Sequence, residues 1–486
     1  MGVPLLLRRA DAEVTPELVS LGELDPLVEL LEKTPREKCP ELVAGRMRHG
    51  TSYRQWMAAL FLAAVRNVNP RPPGFALHSV FVIHSAHVLA QEAPADARLL
   101  PLFYSLDNFK AAQERDARAS GGDWSMAPLK GSVPAGGRAA SELRAAMEAW
   151  DMERAERAAA GMARHGSAAD AFAMLYEYGA RDYRNIGHKA IFVANAARTL
   201  DAIGWQHAEP VLRSLALGLL DFGTERSVNG YAFEDQSYLG NRKRVRERLA
   251  KLPAAWARTD LDESVTRSVV EAIRTSSPEE ASEHAMQALE KGHSAGAIWD
   301  AVHLAAAELR MRCGPGAAIV GLHAVTSANA LHYGWLAARD SAARLLHLLQ
   351  AAGWMTQFRH WSQTRQENLG GARILDLKPS EESATPSAIL AAIGENLETA
   401  GALAMAVGRD SAGRRALSSA LIRETAAKAD EVHYYKYQAA IVEDTELVNQ
   451  RWRPHMSAAS VWYAKSSSAK PPVWLDRSKE ALGVSG

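Results

Sequence analysis

The sequence predicts an all-α fold, one large multi-helical bundle with a buried histidine-lined site, and three observations carry that prediction. The aliphatic share of the 486 residues leans on Ala and Leu, the strongest helix formers. Apolar residues recur at spacings of three and four along most of the chain. Alternation with the period of a strand is nowhere sustained.

That spacing places the first helices at Leu18–Glu32 and Ser52–Arg66. The connector Asn67–Gly74, with three prolines and a glycine, separates them from a helix at His78–Gln91. A Gly-, Ser- and Pro-rich stretch at about 119–137 reads as a mobile exposed loop able to close over a pocket. Further helices follow at Ala139–Ala163, Ala168–Tyr178, Ile186–Ala202, Ala208–Leu220, Pro278–Lys291, Ile298–Met311, Ala318–Ala338, Ser341–Ala351, Ala388–Val407 and Arg414–His433. The segment Gln366–Pro386 and the chain after Ser466, which carries Pro471 and Pro472, read as flexible. No long linker separates the histidine-bearing helices. The expected organisation is one helical domain over 1–465 and a polar C-terminal tail over 466–486.

Composition excludes several function classes. Lys and Arg number 56 and Asp and Glu 56, so the formal charge is zero and the basic footprint of a nucleic-acid binder is missing. The basic run Asn241–Arg248 reads as a solvated helix face offset by nearby acids. No apolar stretch reaches the roughly 18 residues of a membrane span, so no membrane partner is expected. Cys39 and Cys313 are the only cysteines. They cannot form a disulfide framework, and the expectation is a reducing, cytoplasmic setting. GxGxxG, Walker and HExxH patterns are absent, as is a duplicated ExxH pair.

The 16 histidines are the one unusual count. Four apolar helical blocks carry them: Phe75–Leu89 with His78, His84 and His87; Asn185–Arg198 with His188; Gly321–Tyr333 with His323 and His332; and Asp430–Ala440 with His433. A buried imidazole needs a hydrogen bond, a counter-charge or a metal. Four such helices with almost no carboxylate alongside favour a shared metal, since imidazole suits iron, copper, nickel and zinc. At about 100° per residue, His78 and His87 lie roughly 180° apart, as do His323 and His332, so each helix supplies one ligand or one i,i+3 pair. Which of His78, His84 and His87 serves stays open at this point. Lys436 shares a face with His433 and, near a metal, must be neutral, carbamylated or a substrate clamp. Alternatively it is a surface lysine paired with Asp430 or Glu431.

Three of these blocks resemble landmarks of the questin oxidase-like family: His188-Lys-Ala-Ile-Phe-Val-Ala, Leu322-His323-Ala-Val-Thr326-Ser-Ala-Asn329 and Asp430-Glu-Val-His433-Tyr-Tyr-Lys436. The resemblance implies an all-helical oxygenase that acts with O2 on aromatic or polyketide-like small molecules, in secondary metabolism, through a mononuclear non-haem iron. It implies His188, His323 and His433 as ligands, with His78 or His87 as the fourth imidazole, and Lys436 as a ligand bearing a CO2-derived carbamate. Where the family often has a second histidine this chain has Asn329, so either His332, three residues on, is the substitute ligand, or Asn329 is a hydrogen-bond partner of a ligand or a substrate contact. Tyr333, with Tyr434, Tyr435 and Trp335, is a candidate to stack on the substrate. Thr326, Asn195, Asp430 and Glu431 are candidate hydrogen-bond partners of the ligands. A homodimer is allowed. The competing expectations are a zinc-dependent helical hydrolase or lyase using the same cage, and a non-catalytic helical scaffold.

Overall fold

The computed structural model describes residues 20–74, 77–118, 124–223, 233–382 and 384–483. These hold 22 α-helices joined by short turns and single turns of 3-10 helix, with no strand among the described residues. The all-α prediction is met. Among the described residues no helix is long and apolar enough to cross a membrane.

Local chemistry explains most boundaries. Ser52 and Ser277 each form a capping box, with Gln55 and Glu280 returning the bond. Where the predicted helices fail, a specific cap intervenes. Ala139–Ala163 is broken at Trp150, whose left-handed backbone (φ 57°) ends Gly137–Ala149 before Asp151 caps Met152–His165. Asn396 likewise splits Ala388–Val407 into Pro386–Ile393 and Leu397–Val407. Arg414–His433 also stops short: Ser411–Lys428 ends, and Glu431 caps a new helix from Val432. Ser341–Ala351 continues to Arg365 because its next two turns, through Phe358, are buried.

Two segments predicted to be flexible are pinned. Ile374 is buried and its N–H donates to Glu308, while Gly370 N–H donates to the Arg312 carbonyl. The expected polar tail contains a helix, Val473–Leu482, whose Trp474 and Leu475 are buried against the rest of the fold. Val473, Trp474 and Leu475 are consecutive after two prolines and only Ala481 and Leu482 follow, which gives no sustained periodic signal. Residues 119–123 of the predicted mobile loop lie outside the described residues. Beyond them Met126 is buried and its N–H donates to the Arg66 carbonyl, and Arg213 holds the Ala127 carbonyl, so this part packs away from the histidines. The basic run 241–248 lies on a helix whose Arg244 and Arg248 pair with Glu279, Glu283 and Glu290.

Five helices position the site: α1 (His78–Glu92), α2 (His188–Ile203), α3 (Ala295–Arg312), α4 (Ala318–Ala337) and α5 (Val432–Leu447). α1 packs on α2 and α5, and α4 packs on α2 and α5, which closes a four-helix ring; α3 backs α4 from outside. All five are apolar around most of their circumference, the pattern of helices buried on every side. A smaller apolar cluster of Ile389, Leu390, Ala400, Ala404, Leu417, Leu421 and Val461 lies apart from the main core.

Candidate metal centre

Each helix of the ring turns one imidazole toward its middle. His78 and His188 are the first residues of α1 and α2, His433 is the second of α5, and His323 lies in the second turn of α4. All four histidines are at most 5% exposed, so bulk solvent does not reach them. His78 Nε2 lies 2.9 Å from His188 Nε2, and His323 Nε2 lies 3.0 Å from the same atom. The His433 ring sits 4.7 Å from that of His78 and 5.0 Å from that of His323, centroid to centroid. Lys436 Nζ is 3.2 Å from His323 Nε2 and 2% exposed.

Proton positions follow from the outer nitrogens. His188 Nδ1 is 2.5 Å from the Asn185 carbonyl and His323 Nδ1 is 2.7 Å from the Ile319 carbonyl. His433 Nδ1 is 2.5 Å from Glu431 Oε2, and Glu431 in turn accepts from Tyr463 Oη at 2.8 Å. A carbonyl or carboxylate accepts only, so in each ring Nδ1 carries the proton and Nε2 keeps a lone pair. The His188 and His323 lone pairs therefore face one another, and His433 Nε2 is buried with no hydrogen-bond partner among the described residues. Facing acceptors cannot bond to each other; a cation held among His78, His188 and His323, whose ligand nitrogens all lie within 4.8 Å of one another, satisfies them, while His433 stands outside that set and Lys436 Nζ approaches His323 Nε2 from the side. At imidazole–metal distances of about 2.0–2.1 Å, two nitrogens bound at right angles stand about 2.9 Å apart, which is the spacing found.

Electrostatics keep the rings ready as ligands. Burial first, and then the Lys436 charge, hold His78, His188 and His323 well below the ordinary imidazole range. Burial lowers His433 as well, opposed by Glu431. The Lys436 amine is pulled down to about 7 by burial, again opposed by Glu431. Three of the four helices begin at the cluster, so their positive ends favour an anionic group there.

His188 owes its placement to unusual backbone. Asn185 (φ 56°), Ile186 (φ 50°) and Gly187 (φ 77°) form three successive left-handed residues, a conformation that costs a β-branched residue such as Ile186 on the order of 1–2 kcal/mol. The turn brings the Asn185 carbonyl under Nδ1. A Cβ on Gly187 would lie 2.2 Å from Ser327 Oγ on α4. Gly187→Ala is therefore expected to lower stability by about 2–4 kcal/mol and to weaken metal binding with it, read by denaturant unfolding and metal titration. Unchanged metal affinity would show that the close approach of α2 to α4 does not set the site.

The structure separates the other predicted residues from this cluster. His87 is not a ligand here: it lies on the opposite side of α1 from His78, beside Tyr53 Oη (3.3 Å) and the Gln91 amide (2.8 Å). His332 does not replace the missing histidine. It turns toward α3, where its Nδ1 lies 2.8 Å from His303 Nε2 and its ring stacks on Trp299 at 4.1 Å. Asn329 is buried, lining a cavity beside Lys436, and Tyr333 lies farther out, over the Arg198 guanidinium at 4.6 Å. Glu431 is the partner of His433, whereas Asp430 pairs with Lys465. Asn195 braces α1 by donating to the Phe81 carbonyl. Glu177, Arg181 and Asp182 do not form a mutual set. Asp182 pairs with Lys189, Glu177 with Arg144, and Arg181 lies over Trp150.

Sequence reasoning missed Glu443 and passed over Arg198. Glu443 lies two turns after Lys436, as Asn195 lies two turns after His188 and Ser85 two turns after His78; all three line the cavity. Counting seven residues onward from Lys436 would have found Glu443; Arg198, ten residues after His188, falls outside that count.

No family model, curated protein or solved structure matches the chain. The functional reading rests on the chemistry of the site and on the three resembling blocks.

Proposed function

We propose that the cluster is a mononuclear metal centre and that the protein is a non-haem iron oxidoreductase acting with O2 on an aromatic or polyketide-like small molecule. The observation that carries the metal reading is His188 Nε2, whose lone pair meets that of His323 at 3.0 Å, with His78 Nε2 at 2.9 Å, while its Nδ1 proton is tied to a carbonyl. The residues that would hold the ion are His78, His188 and His323, with His433 beside them. Imidazole nitrogen with no thiolate suits iron among the redox metals, and the resembling blocks select iron from that group. Bound iron would supply one-electron chemistry toward O2.

The chain's own residues define the surroundings. Glu431, held by Tyr463, keeps His433 Nε2 aimed inward. Lys436 is buried at the cluster with its amine lowered to about 7, so a free amine is accessible near neutrality for CO2 to form an anionic oxygen ligand. The cavity next to it, lined by Ser85, Ile191, Thr326, Asn329, Ala439 and Glu443 among others, is about 10 Å³, room for roughly one water. It suits O2 as it stands. An aromatic ring enters only when the outer side chains move.

Metal analysis of the purified protein is expected to find about one iron per chain, removed by chelators. Stoichiometric zinc would make the site a hydrolase or lyase centre, and a metal-free protein that takes up no Fe(II) or Co(II) would leave a scaffold. Lys436→Ala is expected to lose the metal and to regain it with millimolar formate or acetate. Metal content indifferent to that change would remove the carbamate from the reading.

A further inference from the structure

The outer wall of the cavity is a single charged network. Arg198 Nη1 donates to Glu443 Oε2 at 2.7 Å, and Nη2 donates to the side-chain oxygens of Asn195 (2.9 Å) and Asn329 (3.0 Å). Its Nε donates to the Ala194 carbonyl, and its plane lies under the Tyr333 ring. The guanidinium is thus fixed on every side except the one that Glu443 occupies. Two more donors reach the same carboxylate: Asn329 Nδ2 at 3.1 Å and His84 Nε2 at 3.3 Å. His84 is held neutral, at about 4, by burial and the Arg198 charge, with Glu443 opposing. Donors from α1, α2 and α4 therefore converge on one carboxylate from α5.

Glu443 is the loosest member. Its side chain is 25% exposed, against 10% for Arg198 and 8% for His84. Of the three it reaches water most, although Arg198, His84 and Asn329 all hold its carboxylate. Its departure would vacate the space of a carboxylate arm two turns along α5 from Lys436, and it would leave Arg198 Nη1, His84 Nε2 and one N–H of Asn329, whose amide also donates to Asp444 Oδ1 at 2.8 Å, for another anion to satisfy.

We propose that Arg198, Asn329 and His84 form a binding site for the carboxylate or phenolate group of a small organic anion, with Glu443 as a resident stand-in that swings into solvent when the anion binds. The partly exposed face of Tyr333 flanks the mouth and takes the apolar body of that molecule. The inference deepens the proposed function by making the substrate anionic, but binding itself requires no metal.

Calorimetric titration with benzoate and acetate at fixed ionic strength tests it. Wild-type protein is expected to bind benzoate weakly and more tightly than acetate. Glu443→Gln removes the competing charge and should tighten benzoate about tenfold. Arg198→Gln should abolish binding. Tyr333→Ala, on a partly exposed ring, should keep the fold and erase the preference for benzoate over acetate. Benzoate that binds Glu443→Gln no better than wild type overturns the proposal, as does a Tyr333→Ala variant that keeps the preference. Parallel Co(II) loading separates the two ideas. Co(II) uptake without a benzoate response sinks this site and leaves the metal centre standing. A benzoate response that follows the variants in a protein taking no Co(II) does the reverse.

Discussion

His188→Leu is expected to reduce bound metal from about one equivalent per chain to nearly none, while the metal-free protein stays within about 1.5 kcal/mol of wild type. His188 is the discriminating position because its Nε2 is the atom nearest to both His78 and His323. If the imidazoles only satisfied one another as core hydrogen bonds, removing the central ring would leave buried nitrogens without partners and cost on the order of 1–3 kcal/mol for each. The proton positions argue otherwise: His188 and His323 both donate through Nδ1, so the contact between their Nε2 atoms is already unfavourable without a cation. Leucine of similar volume removes that conflict, and the Asn185 carbonyl keeps the His188 backbone N–H as a partner. Wild-type protein should gain about 2.7 kcal/mol when free metal reaches a hundred times its dissociation constant, and the variant nothing. Thermal melts with and without chelator, beside metal stoichiometry, measure both quantities. Retained metal, or a large loss of stability in the metal-free variant, would count against the centre.

Much of this centre was legible because helical geometry is rigid. His78, His188, His323, His433 and Lys436 were named from apolar periodicity and the resembling blocks, and the structure brings all five together. The half-turn offset that separates His78 from His87 and His323 from His332 also held, and it is why the second member of each pair faces elsewhere. What could not be read was the choice between two equally apolar faces. α4 is buried around nearly its whole circumference, so nothing local shows whether His323 or His332 meets α2. His332 faces α3 because Trp299 and His303 stand there, more than 20 residues away in sequence. Glu443 was hidden for the same reason: its partners His84, Arg198 and Asn329 come from three other helices. Caps escaped attention on a different ground. Single residues such as Glu431 and Trp150 redirect the chain without disturbing the apolar period on either side.

The turn ahead of His188 supplies the largest expected loss of stability. Lys189 and Asp182 are both fully buried and pair at 2.6 Å, with Lys189 Nζ also donating to the Asp221 carbonyl. Asp182 accepts a second bond from the Arg184 N–H, so one carboxylate ties the first turn of α2 to the segment entering the left-handed residues 185–187. Burial pulls the Lys189 amine down and Asp182 opposes that pull. Asp182→Ala removes the carboxylate that hydrogen-bonds a buried ammonium, leaving the Asp221 carbonyl and the Trp150 and Phe222 rings beside it, and is expected to destabilise the protein by about 3–5 kcal/mol in denaturant unfolding. Replacing both partners, Asp182→Leu with Lys189→Met, removes the stranded charge and should recover most of that loss, because well-packed apolar side chains often equal a buried pair. The two variants part company at the metal. Backbone strain at Ile186 persists only where the surroundings enforce it, so the double variant should let the turn relax and lower metal affinity roughly 10- to 100-fold even with stability restored. A double variant that regains stability and binds metal like wild type would show that the ion pair supports the fold alone and that the turn holds His188 without it.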